Sequence, residues 1–374
     1  MIPDPLSLLV FMAFFAAVTL ATMRRPAYGV CALAISCPFA LYQVLAGTTL
    51  TLLKASLFAV ALGMLAYRGA FRTLLERSSL RFVAVGAAIF GATLLSILQA
   101  HYPAEAVRES FKAVEYLAVF SMGYICYRAD PDRALLRTTA VALTLTVCAL
   151  ALTQEFYGAH SVLLMNGHPT PRIAGPLEGP NQLAGYLEIG LPLLLAFALT
   201  MPTPGVGIAL FALALTDVLT FSRGGAIGAA AAMLAVFFAI RGSKLRVAFP
   251  LAGGAICGAA IASFWGHLAH TIGLSRFWDL RPSAYGGGVG TRPLLWRAAI
   301  ELWRSHPLFG IGAGNFEDEV SVTGIPAIHT HANSLYLQSL VEGGIPLFAA
   351  NVAALAVAVM TFARRAARSP VAAG

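Results

Sequence analysis

The side chains in this sequence best suited to chemistry are a few arginines and histidines set beside glycines. Arg223 stands in Thr220-Phe221-Ser222-Arg223-Gly224-Gly225, Arg292 and Arg297 flank Trp296, and Arg172 lies in Pro171-Arg172-Ile173-Ala174-Gly175. A guanidinium presents a rigid fork of donors that matches phosphate oxygens two at a time. Neighbouring glycines let the backbone come close to a ligand. The plainer reading of each arginine is a side chain reaching to lipid headgroups. His329 and His331 lie in His329-Thr330-His331-Ala332-Asn333-Ser334. Histidine suits general-base work near neutral pH, and it also occurs as an ordinary interfacial residue. With His306 these two lack a carboxylate or cysteine at ligand spacing, so neither a metal site nor a cofactor is expected. Asp130-Pro131-Asp132 reads as a helix cap and turn, and Glu317-Asp318-Glu319 as a solvated loop face.

The elements that must position these residues are hydrophobic helices. Of 374 residues, 58% are hydrophobic and 11% charged. The mean hydropathy is +0.76. Soluble domains carry roughly 25% charged residues, so a soluble globular enzyme, a disordered chain and a disulfide scaffold are all excluded. The five cysteines lie in or beside apolar runs without a C-x-x-C pair. They read as small apolar residues.

Apolar runs predict spans at 6–23, 27–46, 49–67, 82–99, 111–127, 135–154, 183–201, 205–221, 224–240, 247–265 and 345–363. The expectation is an all-α polytopic membrane protein of about 11 (10–12) spans, because a spanning helix with its connection takes about 30 residues. Residues 1–374 form one transmembrane domain in this reading. The segment before the first span has no basic residue, so that span does not read as a secretory signal.

With the N-terminus outside, the basic residues fall in every second loop. Fifteen of the 25 Lys and Arg lie in the segments assigned to the cytoplasm, with three of the 17 acids. That is the positive-inside pattern. It accounts for the net charge of +8 and makes nucleic acid unnecessary as a partner. Two outside segments are long, 157–182 and 266–344, and the second holds a predicted helix from Leu294 to Trp303. Long ordered loops are uncommon without a function. Inside the spans the charged residues are Lys54, Glu115, Glu188 and Asp217. All fall toward the predicted outer side and read as paired or snorkelling groups. The run Ala226 to Ala235 suits close helix packing.

Four short motifs then stand in order. They are Arg172-Ile173-Ala174-Gly175 with Gly179-Pro180-Asn181-Gln182-Leu183-Ala184; Phe221-Ser222-Arg223-Gly224-Gly225; Arg292-x-x-x-Trp296 leading to His306-Pro307-Leu308-Phe309-Gly310-Ile311-Gly312-x-Gly314-Asn315-Phe316; and the histidine stretch running into Gly344-Ile345-Pro346. Over about residues 170–363 the sequence resembles the O-antigen ligase and O-antigen polymerase superfamily. The resemblance implies a GT-C-like membrane fold and a metal-independent, inverting glycosyltransferase. Such proteins move a glycan from a polyprenyl-pyrophosphate carrier to an acceptor hydroxyl on a glycan, lipid or protein. They act at the outer face of the bacterial cytoplasmic membrane.

By the same resemblance, Arg223 and Arg292 take the two arginine roles. The ligase histidine motif, counted back from Gly344, puts Asn333 where the histidine should stand, with His331 two residues earlier and Leu347 in place of the last glycine. Either the base has moved to His331, with His329 as the runner-up, or this branch uses another base. Arg172, Asn181, Gln182, Arg297 and His329 are the expected substrate-binding residues. The competing readings are a small-anion transporter, whose outer arginines would attract the anion, and a non-catalytic subunit of a glycan-assembly complex.

Overall fold

The computed structural model describes residues 5–39, 42–45, 48–67, 70–129, 133–157, 163–165, 168–170, 172–239, 244–268, 292–323 and 331–368. Its helices are α1 (Pro5–Arg24), α2 (Pro26–Ser36), α3 (Leu52–Ala66), α4 (Ala70–Leu74), α5 (Arg77–Ser96), α6 (Pro103–Ala129), α7 (Ala134–Tyr157), α8 (Pro180–Thr200), α9 (Pro204–Leu219), α10 (Arg223–Ala239), α11 (Leu245–Leu268), α12 (Arg292–Ser305), α13 (Phe316–Glu319) and α14 (Leu335–Arg368). Two short antiparallel hairpins join them, β1 (Tyr42–Leu45) with β2 (Thr48–Thr51) and β3 (Leu163–Met165) with β4 (His168–Thr170).

This is the predicted helical membrane architecture. Five helical segments are long and apolar enough to cross a membrane: Ser79–Gln99, Ala134–Gln154, Pro180–Thr200, Leu245–Phe264 and Leu335–Arg364. Five shorter apolar helices accompany them among the described residues. The stretches expected as spans 27–46 and 49–67 divide differently. Helix covers Pro26–Ser36 and Leu52–Ala66, and between them Tyr42–Leu45 pairs with Thr48–Thr51 as β1 and β2. Tyr42-Gln43-Val44-Leu45 and Thr48-Thr49-Leu50-Thr51 are rich in β-branched and aromatic residues that suit a pleated backbone. The expected span 111–127 lies inside the longer α6, whose first turns carry Glu105, Arg108, Glu109, Lys112 and Glu115.

The chain packs as two units: Met1–Gly63 with Asp130–Leu280, and Met64–Ala129 with Arg281–Gly374. The first is centred on α8 and α9. Leu183, Leu187, Leu191, Leu194 and Leu195 of α8, at helical spacing, bury against Val206, Leu210 and Leu213 of α9. Helix α9 also lies along α11. The approach is close because Gly254 and Gly258 stand one turn apart on α11. A Cβ at Gly254 would collide with Phe211 O, and one at Gly258 would sit 2.8 Å from Leu215 O. Small residues four apart let backbones approach where lipid supplies no hydrophobic force between helices.

In the second unit α5 packs on α6 and α14. Helix α12 lays Leu295, Ala298, Ala299 and Leu302 into a small core with Ile311, Phe316, Val320, Ala332 and Val341. Helix α14 kinks at Gly344 (φ 63°) ahead of Pro346. The kink carbonyls find partners in the glycine-rich segment: Ile311 N donates to Val341 O at 2.9 Å and Gly312 N to Glu342 O at 3.0 Å.

Candidate functional site

The first unit builds its set of polar residues on two helix starts. Arg172 is buried (3% exposed). Its Nε donates to Thr220 O at 2.7 Å, and its Nη2 donates to Asn181 Oδ1 at 2.9 Å. Gln154 of α7 anchors the same segment: its Oε1 accepts from Ala174 N and Gly175 N, each at 3.0 Å, while its Nε2 donates to Gly175 O at 2.9 Å. Asn181 and Gln182 are exposed on the first turn of α8, after Pro180.

Arg223 opens α10. The turn before it is tight: Phe221 has φ 50°, Ser222 N donates to Thr220 Oγ1 at 3.1 Å, and Thr220 Oγ1 donates to Asp217 O at 2.7 Å. Ser222 caps α10, its Oγ accepting from Gly225 N at 3.2 Å. A non-glycine residue with positive φ at such a turn holds backbone strain, which the surrounding bonds sustain. The partly exposed Arg223 therefore stands where first-turn N–H groups and the helix dipole favour an anion. The structure thus gathers Arg172, Asn181 and the Arg223 turn through Thr220.

The second unit builds its set on α12, α13 and the start of α14. Arg292 is partly buried at the start of α12, and Arg297 is exposed on its outer side. The helix spans Arg292–Ser305, which contains the predicted 294–303. His306 ends it with Nδ1 2.9 Å from Ser305 Oγ. His331 is exposed, and its Nε2 lies 3.2 Å from Glu317 Oε1. His329 lies outside the described residues, as do 130–132. Among the described residues no three His, Cys, Asp or Glu side chains gather as a metal site.

Several partners here were not singled out from sequence. The Glu317-Asp318-Glu319 run, expected as a solvated face, forms α13 and pairs with two histidines: Glu317 with His331, and Glu319 Oε1 with His101 Nδ1 at 2.6 Å. The side chain of Glu319 is only 13% exposed. The acidic run was visible in the sequence, but its partner His101 is more than 200 residues away. Glu342 is a buried carboxylate whose Oε1 accepts from Gln338 Nε2 at 2.6 Å and from Phe316 N at 3.4 Å. Gln338 Oε1 in turn accepts from Ala332 N at 2.7 Å. In the first unit, Glu188 and Asp217 converge: a Cβ at Gly225 would lie 3.1 Å from Asp217 Oδ1 and 3.2 Å from Glu188 Oε1.

Each unit also holds a hydrophobic cavity. One of about 410 Å³ lies among α2, α7 and α8, beside Cys31, Leu143 and Tyr186. Another of about 590 Å³ lies among α5, α6 and α14; its apolar wall includes Phe82, Ile89 and Phe120, and Glu109, Lys112, Gln338 and Glu342 give it a polar side.

Fold and side chains together define a helical membrane protein in which Arg223 and Arg292 stand at helix starts and His101 and His331 lie against carboxylates. Residues 208–352 match the family described as O-antigen ligase, which supports the resemblance read from the order of the motifs. The match runs from α9 into α14 and includes Arg223, Arg292, Arg297 and His331; Arg172, Asn181 and Gln182 precede it. No curated protein matches the chain.

Proposed function

We propose that this protein transfers a glycan from a polyprenyl-pyrophosphate carrier to an acceptor hydroxyl, as an O-antigen ligase or a polysaccharide polymerase. The reaction takes place at the outer face of the bacterial cytoplasmic membrane. The observation that carries the reading is the O-antigen ligase match over residues 208–352, which holds Arg223, Arg292 and His331 in motif order. About eleven crossings place these residues outside, on the positive-inside pattern. Residues 157–182 and 266–344 are then the outer segments of one membrane domain.

The carrier's pyrophosphate is already a good leaving group. What the protein supplies is stabilisation of the charge that grows as the bond from sugar C1 to oxygen breaks, and this falls to Arg223 and Arg292. His331 accepts the proton of the acceptor hydroxyl, with His329 as the second choice. Attack by that hydroxyl on the face opposite the leaving group inverts C1. Asn181, Gln182 and Arg297 bind donor or acceptor groups. Arg172, which holds Asn181 and the Thr220 carbonyl, supports both that contact and the Arg223 turn. The apolar cavities suit lipid chains.

The test is a gel of surface polysaccharide from a strain lacking the gene and re-expressing wild type or Arg223→Ala. Loss of long chains with single units still attached identifies a polymerase. Loss of all attached glycan, with polymer held on its carrier, identifies a ligase. Arg223→Ala is expected to lower transfer by about 100- to 1,000-fold, the usual cost of a donor aimed at developing charge. Full transfer by a well-expressed Arg223→Ala protein removes the arginine role.

One observation favours a second reading. Arg223 stands at the start of α10, where first-turn N–H groups and the helix dipole attract a small anion. Uptake of a labelled anion into proteoliposomes, abolished by Arg223→Ala, would support transport instead.

A further inference from the structure

His331 is not an isolated surface histidine. Its Nε2 is 3.2 Å from Glu317 Oε1, and the two residues belong to segments that share one buried anchor. Glu317 follows Phe316, whose side chain is fully buried and whose N–H donates to Glu342 Oε1. His331 precedes Ala332, which is also fully buried and whose N–H donates to Gln338 Oε1, while Gln338 Nε2 donates to the same Glu342 Oε1. One carboxylate oxygen thus ties together the backbones on either side of the pair. Asn333, at φ 52°, turns the chain here, and its Nδ2 donates to His331 O at 3.1 Å.

We propose that Glu317 is a positioning residue for His331, and that Glu342 holds the two segments in register. This rests on the reading of His331 as the base. With the Nε2 hydrogen directed at Glu317, neutral His331 carries its lone pair on Nδ1. The acceptor hydroxyl gives its proton to that nitrogen. The hydroxyl oxygen forms the new bond to sugar C1, and the bond from C1 to the pyrophosphate oxygen breaks, its electron pair leaving with the carrier. Glu317 then faces an imidazolium and balances its charge. The proton passes from exposed His331 to water. A carboxylate acting through a histidine in this way orients the ring and stabilises its charged form without itself being protonated.

The test uses the full chain in nanodiscs and in membranes of the deletion strain, with the carrier-linked glycan extracted from that strain as the probe. The expected result is that Glu317→Ala and the isosteric Glu317→Gln both slow transfer by about 10- to 100-fold, the worth of a hydrogen bond to a charged group. Binding of the carrier-linked glycan stays within about twofold, because Glu317 acts on the ring and not on the donor. In a His331→Ala background, Glu317→Ala brings no further loss, since the two act as a unit. Wild-type transfer rates in Glu317→Gln overturn the proposal. So does a Glu317 loss that adds in full to that of His331→Ala, which would make Glu317 an independent contributor. Full transfer by His331→Ala removes the base itself and the inference with it, an outcome distinct from failure of Glu317 alone.

Discussion

Arg172 shows how a residue type seen in sequence acquires its role from its neighbours. Its glycine-rich setting and its place ahead of α8 suggested a ligand-facing guanidinium. In the fold the side chain is buried, and two of its nitrogens are committed to Thr220 O and Asn181 Oδ1. Removing it leaves the buried Thr220 carbonyl without that donor. Arg172→Ala is therefore expected to destabilise the protein by about 1–3 kcal/mol, measured as a fall in the melting temperature of the purified protein in detergent. An unchanged melting temperature with lost transfer would move Arg172 back to direct substrate contact. Arg223 differs: it is partly exposed at a capped helix start, so its substitution is expected to fall on transfer more than on folding.

At the scale of elements, glycine decides which surfaces can meet. The Gly254 and Gly258 pair is what lets α11 lie along α9. A methyl group at Gly254 would meet the backbone oxygen of Phe211, which cannot swing aside as a side chain can. Gly254→Ala is expected to cost about 1–3 kcal/mol, as overpacking usually does, again read as a lower melting temperature. Gly207, whose added Cβ would meet nothing within 4 Å, is the contrasting site, where Ala should be tolerated. In the second unit Gly310, Gly312 and Gly314 all have positive φ (70°, 101° and 77°), so the glycine-rich motif is first a backbone requirement. It lets residues 310–312 run against the kink in α14 and satisfy the carbonyls that Gly344 and Pro346 leave open.

For the whole molecule, the decisive question is which residues face which side of the membrane. The charge pattern predicts that Glu178 and Ser321 are outside and Lys244 inside. All three are exposed in the structure. In a cysteine-free background, Glu178→Cys and Ser321→Cys should react with an impermeant thiol reagent added to intact spheroplasts. Lys244→Cys should react only after permeabilisation. The reverse pattern would invert the topology and put Arg223, Arg292 and His331 on the side opposite to the one proposed.

Much of this protein was readable along the chain. Hydropathy marks a helical membrane protein because every backbone group in a bilayer must bond within its own segment. The boundary at Ser222–Gly224 and the helix expected at 294–303, which the structure extends to 292–305, were legible because turn residues and a 3.6-residue apolar period are local signals. The order of the motifs was enough to point to the O-antigen ligase superfamily. Other features were decided only by packing. Tyr42–Leu45 and Thr48–Thr51 pair as strands where the ends of two spans, 27–46 and 49–67, were expected, since apolar content alone does not separate helix from strand. The pairs Glu317–His331 and Glu319–His101, the meeting of Glu188 with Asp217, and the anchoring of two loop segments on Glu342 join residues far apart in sequence. No periodicity encodes such contacts, because they depend on where whole helices come to rest against one another.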